Sequence, residues 1–509
     1  MKVKKRALFS LYHQKKAVFY ARQLIALGWE VIATQETFIL FKKNNIPAKN
    51  ISNFLKLKAK YPFPPTLHPA LELALTTKQK STIDLVYDTT YPLSKGNDVG
   101  GHTLLALAAK GKRIAVFNNK DMETVLDELA SKQNKISFTL RRELINKVYA
   151  KVSRHYASLI KNSKYDKIII GKRKMMLLEG ENPYQSPSAF FQTKNKGPLD
   201  LGNFQKVSGL SPCFTNMADF DSIIRTLCLT SVAFNKKYKK TPFIVVAAKH
   251  GNPCGLAVDW KSPKIAIEKA FFGNPVAIFG GELITNFSID RSLAKILYSS
   301  KKKEKLLGNS RWVLDLIVAP DFDQPAISLL GKRKMTKIFK NKHLKRPHLH
   351  KTKWLYRMVR GGFLRQPPYH YILNLSESKE NLSLKNQGFL DCLIIAWASA
   401  WSSNHGGNEV AIAKNRKLLG VGGGPSTIEA CRIAINRANR FTNSLKKSVF
   451  AADAFFPFID APQKLIKAGC AYGLVPKGGM NDELVKECFA KAKVKVFYLP
   501  PQFRGFCRH

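Results

Sequence analysis

Six consecutive apolar residues, Phe243-Ile-Val-Val-Ala-Ala248, stand between Pro242 and the turn-forming Gly251-Asn252-Pro253, and no other stretch constrains the fold as much. A run of that length without polar alternation fits a central parallel strand, which is covered on both faces and has no solvent side to mark. Helices must then pack above and below the sheet. The chain supplies them, because strand and helix patterns alternate over residues 6–12, 17–27, 30–34, 83–87, 103–109 and 113–117, a βαβ layout that predicts a doubly wound α/β domain. A long amphipathic helix is expected over 139–161. The polar run 162–166 and the Pro/Gly/Ser-rich stretch to about 202 then read as a connection. From about 212 the alternation resumes to the end. The expected division is 1–165, a connection over 166–204, and 205–509, the last built of two α/β halves at about 205–370 and 380–509.

Lys249 and His250 follow the apolar run directly. In open α/β sheets ligands bind beyond the carboxyl ends of the strands, so a Lys-His pair there is a candidate acid/base site. The other reading is a lysine that snorkels to solvent and a turn histidine that caps a carbonyl. Further along, Gly420-Val-Gly-Gly-Gly-Pro-Ser426-Thr-Ile-Glu429 predicts strand, turn and helix start, with Ser426 and Glu429 spaced as a capping box. The glycines either bring backbone donors to an anion or serve a tight packing turn. As a dinucleotide fingerprint the stretch fails, since Pro425 takes the third glycine position. Phe455, Phe456 and Phe458 either offer aromatic faces to a heterocycle or close an apolar core.

Composition excludes several classes of protein. There is no stretch of 18 uninterrupted apolar residues, so no membrane helix is expected. The basic start, Met-Lys-Val-Lys-Lys-Arg, lacks the apolar region and cleavage site of a signal peptide, and reads as the first strand of a cytoplasmic protein. Eight cysteines without a Cys-x-x-Cys pair suit neither a disulfide framework nor a zinc site, so reduced thiols and no zinc are expected. A zinc deaminase is unexpected for the same reason, because Pro253-Cys254 lacks the second cysteine of that signature. The formal charge is +49, from 84 Lys and Arg against 35 Asp and Glu. Its densest run, 332–353, carries ten Lys or Arg and no acid. That run reads as a solvated excursion or as a nucleic-acid patch; without an accompanying binding motif the first reading is preferred.

Several motifs, in order, resemble one family. Lys249-His250-Gly-Asn-Pro-Cys-Gly255, Asn274-Pro-Val-Ala-Ile-Phe-Gly-Gly281, Ile317-Val-Ala-Pro-Asp-Phe322, Arg360-Gly-Gly-Phe-Leu-Arg-Gln366, Asn408-Glu-Val-Ala-Ile-Ala-Lys-Asn415, Asp453-Ala-Phe-Phe-Pro-Phe458 and Arg504-Gly-Phe-Cys-Arg-His509 are similar to landmarks of the bifunctional purine enzymes that combine AICAR transformylase with inosine monophosphate (IMP) cyclohydrolase. Thr66-Leu-His-Pro69, Tyr91-Pro92, Asp98-Val-Gly-Gly101 and Thr103-Leu-Leu-Ala-Leu-Ala-Ala-Lys110 extend the resemblance into the N-terminal part.

The resemblance implies a methylglyoxal-synthase-like cyclohydrolase domain followed by a cytidine-deaminase-like transformylase region, in a homodimer. It implies 10-formyltetrahydrofolate as co-substrate, and AICAR and formyl-AICAR as the nucleotides handled. It makes Lys249, His250 and Asn408 catalytic, and Tyr91, Asp98, Lys110, Phe456 and Arg504 substrate-binding. Departures from the pattern fall at both sites. Thr34-Gln-Glu-Thr37 stands where the family has a Ser-Gly-Gly-Thr phosphate loop, Tyr12-His-Gln-Lys-Lys16 replaces a second loop, and Pro65 replaces a lysine. Leu178 and Thr427 or Ile428 stand where substrate-binding arginines are expected. The alternatives are a catalytically decayed folate- or nucleotide-binding scaffold and a nucleic-acid-binding protein.

Overall fold

A computed structural model of the chain describes residues 4–57, 63–77, 82–160, 167–193, 197–350, 352–375, 386–442 and 444–505. The polar run 162–166, Lys351 and the last four residues of the C-terminal motif lie outside them. The chain divides into two compact units, residues 1–170 and 171–509.

In the first unit β1 (Arg6–Leu11), α1 (Ala17–Ala26), β2 (Glu30–Ala33), α2 (Gln35–Lys43), β3 (Ala48–Asn50), α3 (Ile51–Phe54), α4 (Pro69–Thr76), β4 (Leu85–Thr89), α5 (Val99–Lys110), β5 (Ile114–Val116), α6 (Asn119–Ser131) and α7 (Phe138–Leu159) follow in order. The strands form one parallel sheet, β3-β2-β1-β4-β5. Both faces are covered: Ala7, Phe9, Leu85 and Tyr87 pack toward one core, and Leu8, Ile32 and Val86 toward the other. Helix starts follow local chemistry. Asp98, Asn118 and Ser137 each accept the backbone N–H three residues on, which satisfies a donor that the helix cannot.

The second unit opens with a hairpin, β6 (Lys172–Met176) and β7 (Ala189–Gln192), within the stretch expected as a connection. It continues through β8 (Gln205–Ser208), α8 (Phe214–Tyr238), β9 (Phe243–Lys249), β10 (Asn252–Asp259), α9 (Pro263–Phe271), β11 (Gly281–Thr285), α10 (Arg291–Tyr298), α11 (Lys301–Leu307), β12 (Leu314–Ala319), α12 (Gln324–Leu330) and β13 (Lys337–Lys340). A separate hairpin follows, β14 (Leu355–Val359) with β15 (Gly362–Gln366). Then come α13 (Gln387–Ala400), β16 (Asn408–Lys414), β17 (Lys417–Gly424), α14 (Thr427–Asn439), β18 (Ser448–Ala452), α15 (Asp460–Lys467), β19 (Cys470–Pro476), α16 (Asp482–Lys491) and β20 (Lys495–Leu499).

Eleven strands make one mixed sheet, β20-β19-β18-β16-β17-β10-β9-β11-β12-β13-β8. Within it β10-β9-β11-β12-β13 and β17-β16-β18-β19-β20 have the same order and the same sequence of antiparallel and parallel pairings. A side-chain bracket recurs too. Asn286 Oδ1 accepts from Ile244 N at the start of β9, and Asp453 Oδ1 accepts from Glu409 N at the start of β16, both at 2.8 Å. The two half-sheets meet at β10 and β17, where a single register pair, Ala257 with Lys417, joins them.

One expectation is corrected here. β9 is central, but its neighbours β10 and β11 are both antiparallel to it. Its unbroken apolar run reflects cover on both faces and says nothing of direction: Ile244, Val246 and Ala248 enter the core with α8 and α13, while Val245 and Ala247 enter the core with α9 and α10.

Candidate functional site

Because β9 is antiparallel to β10, β10 to β17 and β17 to β16, the end of β9 and the starts of β10 and β16 share one edge of the large sheet. The ends of β17, β18 and β20 lie on that edge as well. Lys249 closes β9 opposite Asn252, and His250 and Gly251 make the two-residue turn with φ of 52° and 71°. Two left-handed residues give the hairpin a twist that matches its strands. The turn leaves His250 exposed, and Lys249 Nζ donates to Phe279 O at 2.6 Å. Asn252 Nδ2 donates to His250 O at 3.0 Å, and its Oδ1 accepts from Asn404 N at 2.6 Å. Asn408 begins β16 across the gap, its Nδ2 donating to Pro425 O at 3.2 Å. The structure therefore brings Lys249, His250 and Asn408 to one edge.

Three side chains on that edge were not singled out in the sequence. Glu409, 2 % exposed at its side chain, takes the backbone N–H of His405 on one oxygen and the ring Nδ1 of His405 on the other, the latter at 2.8 Å. Arg437, from α14, donates to Val421 O at 2.5 Å and lies 3.4 Å from His405 Nε2. Asp453 follows β18, and burial holds its carboxyl well above the usual range. An acid inside an apolar strand, four residues after a histidine, was the available signal. Gly505 N donates to Asp453 O at 2.8 Å, which fixes the C-terminal segment beside it.

Phe456 is corrected. Its ring is 1 % exposed and packs with Phe450 and Phe489, so it closes a core and offers no face to a ligand. Arg504 instead lies over Phe455, with its guanidinium 4.7 Å from the ring centre. The positions of the expected arginines carry no cation: Leu178 is exposed, and Thr427 is the buried first residue of α14. Asp321 follows β12 on the opposite edge from Lys249, because β12 is parallel to β11 and β11 antiparallel to β9. Cavities of about 670 Å³ beside Asn235 and Tyr371, and about 500 Å³ beside Asp321 and Lys345, are lined by none of Lys249, His250 and Asn408.

In the first unit the strand order reverses between β1 and β4, where a crevice is expected beyond the strand ends. Ser10 and Asp88 are register partners there. Burial pushes the Asp88 carboxyl up to about 7; the Asp98 charge adds to that, and a Ser10 hydrogen bond and Lys151 oppose it. Asp98 Oδ1 accepts from Gly101 N at 2.8 Å and Oδ2 from Tyr91 N at 3.0 Å, so the structure brings Tyr91 and Asp98 together. It does not bring Lys110 to them. Lys110 ends α5, about 18 Å of helix from Asp98, and pairs with Glu72 at 3.2 Å. Thr34-Gln-Glu-Thr37 forms no loop: Gln35 and Glu36 are the first residues of α2, which puts a carboxylate where a helix N-terminus would otherwise favour phosphate. Lys16, which could offset it, pairs with Glu123 at 2.7 Å.

Among the described residues no cluster of metal-ligating side chains occurs, and no helix is long and apolar enough to cross a membrane. The family model described as the AICARFT/IMPCHase bienzyme matches residues 108–437. A relative named bifunctional purine biosynthesis protein PurH, from Caldicellulosiruptor saccharolyticus, is 30 % identical over 94 % of this chain and 95 % of its own. Relatives of the same name from Fusobacterium nucleatum and Clostridium botulinum are 28 % and 26 % identical, covering 96 % and 97 % of this chain and 97 % and 98 % of their own.

Proposed function

The chain belongs to the AICARFT/IMPCHase bienzyme family, and from that premise we propose that it performs both steps: formyl transfer from 10-formyltetrahydrofolate to AICAR within residues 171–509, then closure of formyl-AICAR to IMP within 1–170. The finer architecture we assign is a methylglyoxal-synthase-like first unit and a cytidine-deaminase-like second one. The single observation that carries the transfer site is the hydrogen bond from Asn404 N to Asn252 Oδ1, which ties the His250 turn to the loop that delivers Asn408.

The 5-amino group of AICAR is a weak nucleophile, since its lone pair is delocalised into the imidazole. As its nitrogen attacks the formyl carbon, the carbonyl oxygen gains negative charge and the amine must lose a proton. His250, exposed at the turn, takes that proton, and the Lys249 ammonium stabilises the oxyanion. Collapse of the tetrahedral intermediate breaks the bond to N10 of tetrahydrofolate, and the proton held by His250 passes to that nitrogen. Asn408, whose Nδ2 is engaged by Pro425 O, has its Oδ1 left to accept from the carboxamide. A homodimer, as the family resemblance implies, is part of the same reading.

Ring closure is intramolecular, so a site that only holds the reactive conformer retains some rate. Tyr91 and Asp98 suit that role, while Glu36 at the start of α2 opposes phosphate binding. Purified full-length chain, given AICAR and 10-formyltetrahydrofolate, should release tetrahydrofolate and accumulate formyl-AICAR ahead of IMP when the nucleotides are resolved by chromatography. No AICAR-dependent release of tetrahydrofolate would refute the transfer. IMP formed without a lag would refute a slow second step.

A further inference from the structure

We propose that Glu409 is a positioning residue of the formyl-transfer site, acting through His405 and Asn404 on the turn that carries His250; this rests on the function proposed above. The argument begins at the seam between the half-sheets. β10 and β17 share one register pair, Ala257 with Lys417, and the adjoining bond from Val258 N to Arg416 O. Among the described residues no further register pair joins them nearer the Lys249 edge, so no ladder sets how far the His250 turn stands from the start of β16. Side chains must do it.

They form a continuous relay. Glu409 is fixed on its strand by two bonds with Asp453, its N–H donating to the side-chain Oδ1 of Asp453 at 2.8 Å and its carbonyl oxygen accepting from Asp453 N at 3.0 Å. Its carboxylate then holds the loop at two points, His405 N and His405 Nδ1. Arg437 can only donate, so its approach to Nε2 leaves the lone pair on that nitrogen and the proton on Nδ1, the tautomer that Glu409 requires. With His405 fixed, the preceding Asn404 N–H is aimed at Asn252 Oδ1, and Asn252 in turn holds His250 O.

A second observation separates this role from a merely structural one. In the other half-sheet the position equivalent to Glu409 is Ile244, bracketed by Asn286 in the same way, so the strand forms there without a carboxylate. The acid is therefore additional to what the fold needs, and it is present only in the half whose strand start faces His250.

Glu409→Gln tests the relay because it keeps the shape and one acceptor but turns an NH2 toward His405 Nδ1. The imidazole must then move its proton to Nε2, against Arg437. His405→Asn places an amide donor near the position of Nδ1, whereas His405→Ala removes it. Formyl transfer by E409Q and H405A is expected to fall about 10- to 100-fold in kcat, with KM for both substrates within about twofold, since small misplacements act on the reacting geometry. H405N is expected to recover most of what H405A loses, and N252A with E409Q to be no worse than the poorer single variant. Amide hydrogen exchange across residues 249–256 should quicken in E409Q and not in H405N, with unchanged melting temperatures as the control for folding. A kcat for E409Q within twofold of wild type, equal losses in H405N and H405A, or multiplicative losses in the double variant would each overturn the proposal. Wild-type chain without transfer activity would refute the proposed function, while the exchange measurement would still decide the relay.

Discussion

Asp88→Asn isolates a carboxyl that the first unit keeps out of water. Asp88 is 1 % exposed at the end of β4, and burial lifts it from an ordinary value of 3.8 to about 7. The folded chain therefore holds this proton to higher pH than the unfolded chain does. Between those two values the folded state binds more protons, so stability falls as pH rises through the window and is flat above it. Three pH units at about 1.4 kcal/mol each give a loss of about 4 kcal/mol by pH 8 relative to pH 4. Asparagine keeps the shape, can donate to the Ser10 hydroxyl and does not titrate, so it escapes the loss. Opening free energies from hydrogen exchange at β1 and β4, measured on the full chain, should show D88N drawing ahead of wild type by up to about 4 kcal/mol between pH 4 and pH 8. A difference that does not change with pH would mean that Asp88 is ionised throughout, and the assignment of burial as the dominant cause would be wrong.

Two further substitutions address the second unit. His250→Ala should lower formyl transfer by a factor of about 10² to 10⁴ without shifting the melting temperature, and retention of a tenth of wild-type activity would remove His250 from the mechanism. Phe456→Ala, which empties a fully enclosed site between Phe450 and Phe489, should cost about 3 to 5 kcal/mol in urea denaturation of this unit and leave KM for AICAR unchanged; a raised KM at intact stability would return Phe456 to the substrate site.

What could be read from the sequence follows from which physical constraints are local. The burial of Val245 and Ala247 on one face and Val246 and Ala248 on the other is written in an unbroken apolar run, and Gly251-Asn252-Pro253 marks where it must turn. The direction of neighbouring strands is not local, which is why β9 reads as parallel and is antiparallel on both sides. Tyr91 and Asp98 meet because seven residues can close a loop onto a helix cap. Lys110 matches a motif as well as they do, but twelve helical residues carry it to the far end of α5. Phe456 sits between an aromatic before it and another two residues after it, and only the packing of α16 decides that its ring, and not that of Phe458, is enclosed. In the Glu409 relay only the His405–Glu409 spacing is local; the approach of Arg437 and of Asn252 needs a helix and a second strand to converge, which no local pattern encodes.

The conformation of His250 carries a consequence for how this chain tolerates change. Its φ of 52° is one that a residue with a β-carbon adopts at a penalty of about 1 to 2 kcal/mol, and asparagine or glycine would form the same turn with less strain. Stability alone would therefore favour asparagine or glycine at this position. On the mechanism proposed above the strained turn exchanges robustness for chemistry, so His250→Gly should give a relaxed hairpin, sturdier than this one and inert in formyl transfer.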